Sequence, residues 1–109
     1  MVEQSVELNK VFHALADPAR RQILAALRSG PKSIGELAAP LDMSFAGASK
    51  HIGVLESANL LSREKRGRSR ICTLQPARLA AAGEWLETYT EFWNERLDLL
   101  ARAVEGEIQ

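Results

Sequence analysis

The pattern of apolar and polar residues predicts a mainly α-helical chain with a small β-hairpin. Apolar residues recur every three or four positions in separate stretches, which is typical of helices that bury one face. Capping residues and prolines mark where these helices begin. The second to fifth helices are expected to begin at Asp17-Pro18, at the capping box of Ser33 and Glu36, at Ser44, and at Pro76. The last of them is expected to run to about residue 104.

A short third helix, a tight turn and a longer fourth helix follow the order of a helix-turn-helix motif. The predicted core face of the fourth helix consists of Phe45, Ala48, Ile52 and Leu55. Its opposite face carries Lys50 among small residues, so another surface can approach the backbone closely. Two short strands then flank a turn at Gly67. We therefore predict a winged helix-turn-helix fold with about five helices and a two- or three-stranded wing.

Charge is unevenly distributed along a chain of ordinary globular composition. Hydrophobic residues make up 46% and charged residues 26% of the 109 residues, and the formal net charge is zero. One domain spanning residues 1–109 is expected at this length. Residues 44–70 contain six basic and two acidic residues, whereas residues 84–107 contain seven acidic and two basic ones. The fourth helix and hairpin should therefore attract phosphate, and the last helix should repel it.

The fourth helix and the wing carry the candidate contacts to double-stranded DNA. Neutralising phosphate requires Lys or Arg, and a hairpin tip at Gly67 lets such side chains reach into a groove. Lys50 can donate to guanine O6 and N7, and Ser49 can read several base edges. Gly47 either permits close approach or is simply tolerated in the helix. The expected contact residues are Ser44, Ala46, Gly47, Ser49, Lys50, His51, Lys65, Arg66, Arg68 and Arg70.

The last helix has too wide an apolar arc for a domain of this size to cover. Its main stripe recurs at spacings of three and four, and Trp85, Phe92 and Leu99 widen it. A second copy related by a two-fold axis is the simplest cover, because such a patch complements itself. With the first helix beside it, the expected dimer interface contains Leu8, Phe12, Leu86, Tyr89, Trp93, Leu97 and Leu100.

Other chemistry has little support in the sequence. His13, His51 and Cys72 fall on separate elements without metal-ligand spacing, so no metal or cofactor is expected, and His13 is expected near the core. No catalytic motif or Gly-rich phosphate loop is present, which argues against an enzyme. A lone cysteine suits a reducing compartment, and neither a membrane-length apolar run nor a signal-peptide pattern occurs. We therefore expect a cytoplasmic protein with no membrane association.

Several segments resemble the ArsR/SmtB family of winged-helix repressors. They are residues 15–24, 36–38, 49–56 and 63–68, which occur in the family's order and extend over nearly the whole chain. The resemblance implies a homodimer that binds operator DNA and usually represses transcription. The family's metal sensors carry a cysteine pair where this chain has Ala38 and Pro40, and another family site uses a histidine on the last helix, which is absent here. The chain is therefore similar to the metal-independent branch, although many relatives have Pro and Val at Ala46 and Ala48.

These observations predict a homodimeric transcriptional repressor acting on an inverted-repeat operator, with its recognition helices ~34 Å apart. An unidentified inducer stays open as a further partner. The alternative is a winged-helix module for protein–protein contact, with the acidic last helix as its docking surface. A surface that binds only protein has no need of the basic wing, so a steep salt dependence would favour DNA.

Overall fold

A computed structural model describes the backbone of residues 2–108 and the side chains of residues 6–106. It confirms the predicted mainly helical winged helix-turn-helix. The elements are α1 (Val2–Leu15), α2 (Pro18–Leu27), β1 (Lys32–Ser33), α3 (Ile34–Ala38), α4 (Phe45–Ser57), β2 (Leu61–Arg66), β3 (Ser69–Leu74) and α5 (Ala77–Ile108), with a 3-10 turn at Ala39–Leu41 between α3 and α4.

Side-chain caps fix the beginnings of α2, α3 and α4, as predicted. Each cap accepts a hydrogen bond from an N–H group that has no partner within its own helix. The bonds run from Ala19 and Arg20 N–H to Asp17 Oδ1 (2.8 and 3.2 Å), from Glu36 N–H to Ser33 Oγ (3.1 Å) with a return bond of 3.0 Å, and from Gly47 N–H to Ser44 Oγ (3.0 Å). The hydrogen bond from the Ser33 backbone also lowers the pKa of the Glu36 carboxyl.

The core lies where α1, α2, α3 and α4 meet the sheet. Its largest fully buried side chains include Ile23, Ile34, Ile52, Leu55, Leu60 and Leu61. Ala48, Ile52 and Leu55 form the buried face of α4, so most of that helix's predicted core face is confirmed. This burial holds the helix-turn-helix against the rest of the domain.

Two predictions about side-chain burial are wrong. Phe45 belongs to the predicted core face of α4 by its spacing, yet its side chain is 59% exposed. It is the first residue of the helix, so it lies at the edge of the core layer that Ala48 and Ile52 fill. His13 is exposed in the last turn of α1, while its neighbour Ala14 takes the buried position.

The wing is a three-stranded antiparallel sheet with strand order β1-β3-β2. Lys32 pairs with Cys72 on one side of β3, and β2 pairs with β3 from Leu61↔Leu74 to Arg66↔Ser69 on the other. Gly67, at φ 60°, turns the chain between the long strands, and Asn59 adopts the same left-handed conformation after α4. The long strands are buried at Leu61 and Cys72 and exposed towards Gly67, so the tip of the hairpin extends away from the core.

Among the described side chains, the long helix α5 contacts the body through its first turns. The Arg78 guanidinium forms an ion pair with the Glu7 carboxylate, and the Phe12 and Trp85 rings meet edge to face at 5.5 Å. From Gly83 to Gly106 every residue is exposed, and α5 extends past the predicted end near residue 104 to Ile108. No helix within residues 2–108 is long and apolar enough to cross a membrane.

Candidate nucleic-acid interface

The outward face of α4 carries small side chains and a positive charge. Ala46 and Lys50 are exposed on it, and Gly53 lies one turn further along the same face. Apart from its chain neighbours and the backbone of α4 itself, no described atom lies within 4 Å of a Cβ built on Gly53, so this part of the helix is open to an approaching surface. The structure therefore places Ala46 and Lys50 as the sequence predicts for a recognition helix.

Ser44 and Gly47 act together at the start of α4. Ser44 is exposed, but its hydroxyl oxygen accepts the Gly47 N–H at 3.0 Å and so is used as the helix cap. A Cβ built on Gly47 would lie 3.3 Å from that same oxygen, which is a tight approach. Glycine at this position therefore leaves room for the cap. Gly47 therefore has a structural role at the helix cap, in addition to any role in letting a ligand approach α4 closely.

Ser49 lies on the side of α4 that faces the wing. Its hydroxyl contacts the Arg63 guanidinium at 3.4 Å, and the same guanidinium donates to Glu56 Oε1 at 2.8 Å. The hydrogen bond to Glu56 outweighs the opposing effect of burial and raises the pKa of Arg63. Arg63 thus joins the recognition helix to the base of β2, and Ser49 is half-buried in that contact rather than fully outward.

His51 lies on the other side of α4, against the joint between α1 and α2. Arg20 donates from Nε to Ala14 O at 2.7 Å and from Nη2 to His13 O at 3.1 Å, and its Nη1 lies 3.3 Å from His51 Nδ1. Because arginine is only a donor, a hydrogen bond in this contact has His51 Nδ1 as its acceptor. Arg20 therefore orients His51 on the recognition helix.

Sequence reasoning missed Arg20 and Arg63 as organising residues. The long Arg20 side chain reaches back from α2 to the last carbonyl groups of α1. A basic side chain near unpaired carbonyls at a helix C-terminus is a recognised pattern and could have indicated that contact. For Arg63, no local spacing connects β2 to Glu56.

The wing concentrates exposed positive charge around its turn. Lys65, Arg66, Arg68 and Arg70 are all exposed, as the sequence predicts. Lys65 stands directly opposite Arg70 across the strands, an arrangement that costs stability because like charges face each other. Arg66 contacts Glu64 at 3.4 Å, but an exposed pair of this kind contributes little. An anionic partner would relieve the repulsion.

A cleft of about 870 Å³ continues the positive surface from α4 onto α1. Its walls are mainly apolar, with Val6 on α1 and Val54 on α4 among the lining residues. Its titratable lining residues within the described part of the chain are all basic: Lys10, His13 and Lys50. The cationic side of the molecule therefore extends beyond the helix-turn-helix to the first helix.

The three soft metal-ligand side chains of the sequence analysis lie in different surroundings. His13 is exposed on α1, His51 contacts Arg20, and Cys72 is fully buried in β3. Burial raises the pKa of the Cys72 thiol, although nearby Arg63 works against that shift. Among the side chains of residues 6–106, no three histidine, cysteine, aspartate or glutamate residues cluster as metal ligands would.

A capped recognition helix, a basic wing and an exposed cationic face define a winged helix-turn-helix of the nucleic-acid-binding kind. A helix-turn-helix domain family matches residues 15–64. The HTH-type transcriptional regulator Rv2034 of Mycobacterium tuberculosis is 35% identical over 99 residues, which cover 91% of this chain and 90% of that protein. The transcriptional repressor SdpR of Bacillus subtilis is 30% identical over 79 residues, covering 72% of this chain and 88% of that protein.

A solved structure supports the same fold and the same family. The crystal structure of the ArsR family transcriptional regulator RHA00566 superposes with a TM-score of 0.74 at 40% identity, covering 81% of this chain and 97% of that one. The chain therefore belongs to the ArsR/SmtB family of winged helix-turn-helix transcriptional regulators. The resemblance seen in the sequence is confirmed, and the protein–protein module is not favoured.

Proposed function

We propose that the protein is a transcriptional repressor that binds an inverted-repeat DNA operator as a homodimer. The observation that carries this proposal is the joint exposure of Lys50 on the recognition helix and of the four cations on the wing. The name of its relative SdpR, a transcriptional repressor, supports repression rather than activation. Because such a regulator acts on the chromosome, we place it in the cytoplasm.

Base reading and phosphate binding fall to different parts of this surface. Lys50 projects from the face of α4 that would enter the major groove, where a lysine can donate to guanine. The wing cations surround a hairpin tip and suit phosphate contacts, which give affinity without reading sequence. Ser49 and His51 stay in the proposed interface with a refined role. Arg63 contacts Ser49 on one flank of α4, and Arg20 contacts His51 on the other.

The homodimer is supported by the apolar surface that α5 leaves uncovered. Leu86, Tyr89, Trp93, Leu97 and Leu100 are each between 46% and 61% exposed in the isolated chain. Monomeric proteins rarely expose a contiguous apolar surface of this kind, and a two-fold partner can cover it with the same surface.

The first helix joins this proposed interface at one end. Phe12 packs edge to face on Trp85, and Trp85 contacts Tyr89 at a ring-centroid distance of 5.0 Å. Leu8 and Phe12 are half-buried against the core, so they support the start of the stripe while keeping part of their surface exposed. We therefore propose that residues 1–109 act as one DNA-binding domain whose terminal helices form the dimer.

The acidic residues of α5 fit this arrangement. Glu84, Glu91, Asp98 and Glu105 recur every seven residues and so follow one side of the helix, away from the apolar stripe. With the stripe covered by the partner, these carboxylates stay in water and far from the cationic DNA-facing surface. An inducer that would release the protein from DNA is a separate expectation.

Titration of the purified full-length protein against its own upstream DNA tests the proposal. We expect preferential binding to that duplex over a scrambled one. We also expect affinity to fall about 10³–10⁵-fold between ~50 and ~200 mM salt if six to ten phosphates are contacted. The scrambled duplex is the matched control, because it keeps the charge of the DNA and changes only its sequence. Equal, salt-insensitive affinity for both duplexes would refute DNA recognition and return the protein–protein module to consideration.

A further inference from the structure

Phe45 exposes an aromatic ring at the first position of the recognition helix. Its side chain is 59% exposed, directly after the Ser44 cap. The other large hydrophobic side chains that are exposed among the described residues all lie on α1 or α5. The proposed dimer can cover those two helices, but it offers no explanation for a phenyl ring on α4.

The ring lies beside the proposed DNA contacts rather than apart from them. It lines a shallow depression between α4 and the base of the wing, together with Ser49, Arg63 and Arg70. The one carboxylate in this depression, Glu56, is paired with Arg63 at 2.8 Å. In helix-turn-helix proteins, the N-terminal residues of the recognition helix are the ones that reach base edges. Phe45 holds that position here.

We propose that Phe45 is a specificity-determining residue that contacts the C5-methyl group of a thymine in the major groove. This inference rests on the proposed DNA-binding function. A phenyl ring has no hydrogen-bonding group, so it has nothing to offer a phosphate or a polar base edge. The thymine methyl is the apolar feature of the major groove, and phenylalanine is one of the side chains that contact it. Packing the two together removes apolar surface of both from water.

Replacing thymine with uracil tests this contact, because it deletes the methyl group and leaves the base-pair hydrogen bonds intact. The preferred site is first obtained by selecting wild-type binders from a random duplex library. Each symmetric pair of thymines is then replaced in turn by uracil. At one pair we expect wild-type affinity to fall about fourfold per methyl, or about 15-fold for both half-sites, from the transfer free energy of one buried carbon.

Two variants assign the response to Phe45. In Phe45→Ala the affected thymine pair should become equivalent to uracil, because the ring that senses the methyl is gone. The matched control is Lys50→Ala on the same helix, which should bind more weakly overall yet keep the thymine-to-uracil ratio of the wild type. Circular dichroism checks that Phe45→Ala keeps its helical content, as expected for an exposed position.

The outcomes separate this inference from the proposed function. A wild-type protein that selects no sequence and binds no duplex would mean that the proposed function fails. A protein that selects a site but shows no thymine pair sensitive to uracil would overturn the role of Phe45 alone. The same holds if Phe45→Ala keeps the wild-type ratio, since another residue, such as Ala46, would then sense the methyl.

Discussion

Replacing Leu97 with aspartate (Leu97→Asp) places a carboxylate in the middle of the apolar stripe of α5. The Leu97 side chain is 58% exposed in the isolated chain, so roughly half of its surface is available to a partner. Complete burial of a leucine contributes about 1.5–3 kcal/mol, and half of that, counted for both protomers, gives about 1.5–3 kcal/mol per dimer. Two buried carboxylates add a cost of several kcal/mol each unless they take up protons or the helices separate. The dimer should therefore weaken by more than ~5 kcal/mol, over a thousandfold in Kd.

Sedimentation measured over a range of protein concentrations reads this change directly. The variant should sediment as a monomer and lose most of its operator affinity, because a single half-site supplies only part of the contacts. The matched control is Asn94→Asp, which adds the same charge to an exposed residue of α5. Asn94 lies three residues after Glu91 and four before Asp98, so it shares the acidic side of the helix and lies outside the apolar stripe. A Leu97→Asp protein that remains a stable dimer with normal operator affinity would show that the dimer forms elsewhere.

Three further changes test the wing, the recognition helix and the helix caps. Arg68→Ala at the wing tip should weaken binding to specific and random DNA alike, and should flatten the slope of log K against log salt by about 0.9. If affinity falls only for the specific site and the slope is unchanged, Arg68 reads bases. Gly53→Ala should stabilise the fold by about 0.5–1 kcal/mol in urea denaturation, since outside its own helix backbone and its chain neighbours no described atom lies within 4 Å of the added Cβ. A loss of stability would mean that the added methyl group is crowded. Burial opposes ionisation of Asp17, but backbone hydrogen bonds from Arg20 and Ala19 outweigh it and lower its pKa below the usual 3.8. The stabilisation by ionised Asp17 is complete above pH 3.8 and is lost as the pH falls through the folded-state pKa. Asp17→Asn should therefore lose less stability on acidification than the wild type. Parallel acid denaturation profiles of the two proteins would argue against this role of Asp17.

Local signals predicted the elements well because their physics is local. Asp17, Ser33 and Ser44 each satisfy N–H groups two or three residues away, so the sequence window that contains a cap also contains its partners. Gly67 and Asn59 mark left-handed positions for the same reason. These signals, together with apolar spacing, placed the starts of α2, α3 and α4 and the long wing strands, but they left the third strand open and ended α5 too early.

Side-chain partners across the fold were not predictable in this way. The contact from Arg20 to His51 spans 31 positions in the sequence, and that from Arg63 to Ser49 spans 14. Periodicity indicates which face of a helix turns inward, but it does not indicate which long side chain from another element contacts that helix. Phe45 illustrates the same limit, because its spacing assigned it to the buried face although the core layer ends before it.

The wide apolar arc of α5 was a different kind of signal. It was recognised by comparing the apolar surface of one helix with the area that a domain of this size can cover. Its exposure is confirmed, for Trp93, Leu97 and Leu100 are each about 60% exposed. The partner that covers it is a proposal argued from this exposure.

Operator affinity measured as a function of half-site spacing tests the central claim most directly. A two-fold dimer holds its recognition helices a fixed distance apart, about one turn of DNA or 10–10.5 base pairs between half-site centres. Inserting about five base pairs between the half-sites turns one of them to the opposite side of the duplex. We predict that specific binding collapses to the level of a single half-site and that it recovers partly when about ten are inserted. Specific affinity that does not change with spacing would contradict a homodimer that reads an inverted repeat through paired recognition helices.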